Sequence, residues 1–398
     1  MNVQTTPSRL YYLDWLRLIA VVGVFIFHVL NVFNEADFII KNAEQSTLIT
    51  VIQGFLFPWG MPLFFLIAGA GSWMALRRRT AGQYARERFN RLFIPFIVGA
   101  ILLSPIQVYL EWLHHFQTGA LQGSFQEFLT TLPIGLTPRI FGAVGYHLWF
   151  VGFLFSYALL TLPLFRWLKG GSGQGIISRL AKLGEHRGGI LLFILPLAVV
   201  RLGSKPFFPY QNDWSDFFFL MSFFVLGYML FADERFTRAI RRDWPIVLTV
   251  GTVAFLAAVV IPFATGELDI EATPRTPLDF IWWGLVTICS WCWSIFVLHI
   301  GMRFLDFNHR WLQYGQEASM PFYVVHQPVI VVIAFFVVQW EAGLPIKLLA
   351  IALVAFVVSV GLYELVIKRI HPLRAMFGVK APRREKTTAQ AALSAIGS

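Results

Sequence analysis

Residues 13–33 read LDWLRLIAVVGVFIFHVLNVF, a run long and apolar enough to form a transmembrane helix. It carries Arg17 and His28. Ionisable residues inside such a helix are costly and point to function. Eleven positions apart, at ~100° per residue, the two return to within ~20° of one helical face. At a rise of ~1.5 Å per residue they stand ~16 Å apart along the axis, so they cannot pair directly. Asp14, one turn before Arg17, and Asn31, one turn after His28, extend the stripe. The alternatives are that Arg17 snorkels to the headgroups paired with Asp14, and that His28 is a buried histidine satisfied by a neighbouring helix.

The other 377 residues continue this pattern. The 398-residue chain is 57% hydrophobic, 16% aromatic and only 14% charged, with a mean hydropathy of +0.64. These values exclude an ordinary soluble domain and indicate an all-α, polytopic membrane protein. Ten spans are expected, at roughly 13–33, 48–76, 92–112, 146–165, 189–203, 215–232, 245–264, 280–300, 319–339 and 345–367. The second should kink at Pro58 and Pro62, and the fifth is short. The first lacks a small-x-small cleavage site and is expected to remain as an anchor.

Of the 32 Lys and Arg residues, 25 fall on the side of the termini and six on the other, with Arg17 in the membrane. The positive-inside rule therefore puts both termini in the cytoplasm. The net charge of +10 is then a topology signal, and nucleic acid is not an expected partner. Residues 1–370 read as one membrane domain. Residues 371–398 read as a basic cytoplasmic tail, disordered toward its end.

Several local features bear on chemistry. Arg88 and Arg91 lie three apart at the start of the third span, where guanidinium groups and helical amides suit a phosphate-bearing ligand. The triple Arg77 to Arg79 reads as ordinary positive-inside charge. Phe125, Phe128, Leu129 and Leu132 suggest a short helix at the membrane surface or over a cavity. His114 and His115 read as surface residues. Tyr146 and Trp149 fit an interfacial aromatic belt, but His147 between them does not. The Gly-rich stretch 166–188 lacks a Walker lysine and reads as a flexible linker, and 266–277 as an acidic outer loop. The ninth span holds Tyr323 and His326 among prolines, with His326 toward the cytoplasmic half. Cys289 and Cys292 lie in an apolar run without further ligands, so their C-x-x-C spacing reads as structural and no metal site is expected.

Taken in order, these residues resemble a known pattern. The R-x10-H of Arg17 and His28 resembles the hallmark of acyltransferase family 3, integral membrane enzymes that move acyl groups onto carbohydrates and other acceptors. The run Met61 to Gly69 is similar to that family's second span, with Ala68 where serine is usual. Arg88-x-x-Arg91 followed by Pro95, His147-Leu148-Trp149-Phe150 and Tyr323-x-x-His326 resemble its later motifs. The likeness covers about residues 10–370. It implies a catalytic His28 and an acyl-CoA donor contacted or positioned from the cytoplasm by Arg17, Arg88 and Arg91; Arg17 and Asp14, on the same stripe as His28, complete the catalytic candidates. A weaker similarity is to the subgroup that adds succinyl groups to periplasmic glucans. A multi-pass protein of the bacterial inner membrane is implied, with a carbohydrate acceptor outside; self-association is compatible with the sequence.

Acyl transfer from a thioester to a hydroxyl needs a base or a nucleophile, and histidine serves as either near neutral pH. It also needs oxyanion stabilisation, for which Asn31, His147 and backbone amides near Pro58–Pro62 are candidates. Asn31, His147, Trp149, Tyr323 and His326 are the further pocket candidates. The rival expectation is a transporter or flippase of a lipid-linked or small polar substrate, its intramembrane Arg and His lining a path.

Overall fold

Within a bilayer the backbone has to satisfy its own polar groups, and this chain does so with helices throughout. The computed structural model describes residues 9–132, 135–265, 274 and 276–379, and all its regular elements are helical. Helix α1 (Tyr11–Leu30) carries the polar stripe, and α2 (Thr47–Leu76) follows it. Next, α3 (Ala81–Arg88), a π-turn over Phe89–Phe93 and α4 (Ile94–Leu102) form one rod, which bends by 41° into α5 (Ser104–Gln117). Two short helices, α6 (Phe125–Thr131) and α7 (Ile140–Gly145), precede α8 (Trp149–Leu160). Then come α9 (Leu162–Lys169), α10 (Gly171–Glu185), α11 (Ile194–Ser204), α12 (Trp214–Ala232) and α13 (Glu234–Thr265). The last four are α14 (Pro277–Phe304), α15 (Arg310–Val337), α16 (Leu344–Gly361) and α17 (His371–Met376).

Among the described residues, eight helical segments are long and apolar enough to cross a membrane, or nine counting the bent rod as one span. The expected ten are reached only by adding the segment Gly189–Ser204. At ~1.5 Å per residue that segment is ~24 Å long, short of the ~30 Å hydrocarbon core. Helix α2 runs unbroken through Pro58 and Pro62. A proline inside a helix removes a donor and frees a carbonyl, so this turn supplies acceptors and not the oxyanion-binding amides expected there. The Gly-rich stretch after α8 is not a flexible linker but helices α9 and α10, because its glycines permit close backbone packing. A Cβ on Gly173 would meet the backbone of Leu168 at 2.4 Å. Helix α6 is the expected short helix, started by a capping box between Ser124 and Glu127.

Two apolar cores flank α1. In the first, α2 and α12 touch backbone to backbone: a Cβ on Gly69 would lie 2.0 Å from the Phe224 carbonyl oxygen, and one on Gly227 2.0 Å from that of Leu66. Small residues allow this approach, which apolar contact alone would not drive in lipid. Phe65, Tyr157, Phe223 and Phe224 close around it. The second core joins α1 to α15 and α16 through Phe25, Phe322 and Phe356. Cys289 and Cys292 are buried, free thiols against Gly251 of α13, which makes C-x-x-C a packing feature.

Arg9 hydrogen-bonds to Gln316 at 2.6 Å, and the Tyr11 amide to Asp306 at 3.1 Å. Gly378 packs against Arg91 and Pro95. Both described ends of the chain therefore lie at one end of the bundle, the end that carries Arg91. Residues 371–379, expected to open the tail, pack onto the body with Phe377 and Val379 buried. Residues 380–398, where the tail was expected to be disordered, and most of the expected acidic loop 266–277 fall outside the described residues.

Candidate active site

At the far end of α1 from the N-terminus, the stripe ends in a cluster of three imidazoles. The His28 ring lies 5.3 Å from that of His326 and 6.2 Å from that of His147, and the latter two are 4.9 Å apart. Three elements supply them: the last turn of α1, the middle of α15 and the tight turn Tyr146–Leu148 between α7 and α8. His326 was expected nearer the terminal side. Helix α15 starts at Arg310, nine residues before the expected edge, which carries His326 up to the level of His28.

Tyr323 locks two of the three rings. Its carbonyl oxygen lies 3.0 Å from His147 Nε2 and 2.6 Å from His326 Nδ1. A carbonyl only accepts, so both of these nitrogens carry hydrogen. The Tyr323 hydroxyl in turn donates to the His147 carbonyl at 2.5 Å. Pro328 contributes by removing the helical donor to the Val324 carbonyl, loosening the ladder at this turn. The remaining nitrogens, His147 Nδ1 and His326 Nε2, are buried without a hydrogen-bond partner, as is His28 Nδ1. With Nδ1 buried, Nε2 is the His28 nitrogen a substrate can reach.

Above this cluster is a cavity of about 1230 Å³ whose lining includes His28, His147 and Trp149. The loop after α1 forms one wall. Lys41 Nζ holds it in place by donating to the carbonyls of Asn31 and Asn34 and to Asn34 Oδ1. Asn31 lies behind the wall; its Oδ1 accepts from Gln53 at 2.5 Å, so it supports the loop and does not line the cavity. His114 is not a surface residue. It is buried, its Nε2 accepts the Lys41 backbone amide at 3.1 Å, and it pins the loop to α5. Adjacent histidines carry no periodicity, so the sequence hid this role.

The expected cationic residues gather at the opposite end. Arg17 pairs with Asp14 at 3.4 Å, and Asp14 also takes Arg9 at 3.0 Å. Arg79 and Arg91 share Glu87 at 2.9 and 3.8 Å. Arg88 lies over the Tyr84 ring at 4.8 Å. Arg17 is within electrostatic reach of Arg88 and Arg9, and Arg91 of Arg88, Arg17 and Arg79. Five guanidinium groups thus face two carboxylates, and Arg88 Nε and Arg91 Nε are buried without partners. Such an excess of oriented donors suits a phosphorylated anion. The structure therefore separates the expected catalytic set: Asp14 and Arg17 sit ~16 to ~21 Å of helical rise below His28. The π-turn Phe89–Phe93, which follows Arg88 and contains Arg91, is a feature frequent at functional sites. Among the described residues no group of three or more His, Cys, Asp or Glu is arranged to hold a metal ion.

The order of these elements agrees with a family match. A family model described as an acyltransferase domain covers residues 10–364. The chain belongs to acyltransferase family 3. It is an acyltransferase with the multiple apolar helices of a membrane protein, and the transporter expectation is set aside. The chain is 24% identical to the glucans biosynthesis protein C of Salmonella paratyphi A, and to those of Salmonella agona and Salmonella dublin. Each likeness covers 96% of this chain and 97% of the relative. No solved structure matches the chain. As a family 3 acyltransferase, the protein needs an acyl donor site and an acceptor site that meet at the reacting carbonyl. Its two ends offer contrasting chemistry: a cation cluster, and a histidine-floored cavity.

Proposed function

We propose that the protein moves an acyl group, acetyl or succinyl, from acyl-CoA to a hydroxyl of a glycan across a bacterial inner membrane. The end bearing the termini faces the cytoplasm in this reading, supported by the excess of basic residues there. The observation that carries it is the single helix α1, which links the unbalanced guanidinium cluster at Arg17 to the cavity floor at His28. Arg88, Arg91 and Arg17 hold the donor's phosphates. The donor's long, flexible arm then spans the ~16 Å along α1 and delivers the thioester to His28. The name of the relatives, glucans biosynthesis protein C, supports a glucan-type acceptor, which enters through the cavity.

At the cavity floor, His28 Nε2 takes the proton of the acceptor hydroxyl as its oxygen attacks the thioester carbonyl. The new C–O bond forms, the C–S bond breaks, and the proton passes from His28 to the departing thiolate. The imidazole nearest to His28 is that of His326, with the rings 5.3 Å apart. Tyr323 holds His326 with Nδ1–H bonded, so its Nε2 lone pair is free to face the cluster. His326 is thus a positioning residue, its unpartnered Nε2 available to accept from the Nδ1–H of His28.

The test is transfer by the purified protein in nanodiscs, with radiolabelled acetyl- or succinyl-CoA and a panel of glucans. Label on one glycan with stoichiometric release of CoA is the expected result. Substrate flux in proteoliposomes without chemical modification would refute it. Replacing Arg91 by alanine should raise the KM for acyl-CoA about tenfold or more, since a charge-assisted contact of roughly 1.5–3 kcal/mol is lost. Acceptor KM should not move; a change confined to the acceptor contradicts the phosphate role.

A further inference from the structure

Two polar pairs, each with at least one member lining the cavity, have no part in the reaction as described. Glu111 and Tyr146 both line it, and the Tyr146 hydroxyl donates to Glu111 Oε2 at 2.5 Å. Among the described residues no cation is ion-paired to Glu111, which leaves its carboxylate as an acceptor facing the cavity. Tyr146 also has φ +49°, a conformation that costs a non-glycine residue energy and persists only where its surroundings enforce it. Here the enforcement is visible: Glu111 holds the side chain, and Tyr323 holds the next residue, His147.

The second pair is Gln107 and Gln327. Gln327 lines the cavity and donates through Nε2 to Gln107 Oε1 at 2.9 Å. Gln107 is fully buried, and its own Nε2 has no partner. Amides at this depth are expensive when incompletely paired, so packing does not account for them. One end of the Gln327 amide is taken by Gln107, and the other is left for the cavity. Each pair also adjoins the histidine cluster in sequence, Tyr146 beside His147 and Gln327 beside His326.

We propose that these two pairs form the acceptor subsite, and that it binds a neutral, polyhydroxylated sugar unit. This rests on the acyl-transfer reading above. Charge decides for neutrality. The charged side chains that line the cavity balance, Asp37 and Glu111 against Lys41 and Arg139. Lys41 is bound to the Asn31–Asn34 turn, and Arg139 lies over the Tyr210 ring at 4.4 Å. A lining of balanced charge does not select an anion, and a carboxylate and an amide beside aromatic faces suit hydroxyls and the apolar face of a sugar.

The experiment measures both KM values for Glu111→Gln, Tyr146→Phe and Gln327→Ala in nanodiscs. The acceptors are a neutral gluco-oligosaccharide and a uronic-acid oligosaccharide of equal length. Each variant is expected to raise the acceptor KM about tenfold, as for one lost polar contact, with the acyl-CoA KM within about twofold of wild type. The wild-type enzyme should use the neutral oligosaccharide and not the anionic one. Unchanged acceptor KM values, equal rises in both KM values, or equal use of the two oligosaccharides would overturn the proposal while the acyl-transfer reading stands. Absence of transfer to any glycan by the wild-type enzyme would overturn both. Tyr146→Phe keeps the ring and its packing, so it remains informative if a polar variant does not fold.

Discussion

Replacing His28 by alanine lowers the rate of acyl transfer by about 10²–10⁴-fold, the range supplied by a positioned general base. The protein should remain folded and keep its affinity for acyl-CoA, because the cation cluster lies at the other end of α1. His28 stands apart from its two neighbours in one respect. His147 and His326 each commit a nitrogen to the Tyr323 carbonyl, whereas no hydrogen bond ties His28 to a protein group among the described residues. It is the ring with a nitrogen left for substrate. His326→Ala should cost less, about tenfold in kcat, with both KM values retained and the alkaline and acid limbs of the pH–rate profile displaced. His326→Gln, which retains a hydrogen-bonding group at that place, should recover part of the loss. Near-normal transfer by the His28 variant would reject the mechanism and transfer the role of base to His147, the other member of the imidazole cluster that lines the cavity.

The second large effect concerns the fold. Gly69→Val places a side chain where a Cβ already lies 2.0 Å from the Phe224 carbonyl oxygen and 2.9 Å from the Tyr228 amide nitrogen. Both neighbours are backbone, so no rotamer change relieves the clash and α2 must separate from α12. Overpacking of a core typically costs about 1–3 kcal/mol, and this contact falls at or beyond the upper limit. The expected result is loss of monodisperse protein on size-exclusion chromatography and a sharply lowered thermal midpoint. Gly23→Ala is the control. Nothing lies within 4 Å of its added Cβ, and alanine is the better helix former by about 1 kcal/mol. Equal behaviour of the two variants would show that the α2–α12 contact does not organise the bundle.

The residues that repeat along a helix were legible without coordinates. Arg17 and His28 share a face by arithmetic alone, and the apolar runs declare their helices because each satisfies its backbone locally. Composition, the grouping of Arg88 with Arg91 and the short helix at Phe125 belong to the same class. What depended on contacts between helices was not legible. The level of His326 against His28 follows from where α15 begins. The tautomers of His147 and His326 follow from one carbonyl, that of Tyr323, more than 170 residues from His147. His114, Glu111, Gln107 and Gln327 have no periodic signature, since each gains its place from a partner on another helix. The sequence by itself determined an all-helical membrane protein with a polar stripe in its first helix, because hydropathy and helical period are properties of short segments. Only the tertiary structure decided that the stripe leads from a cation cluster to a histidine-floored cavity, because side chains distant in sequence meet only once the helices pack.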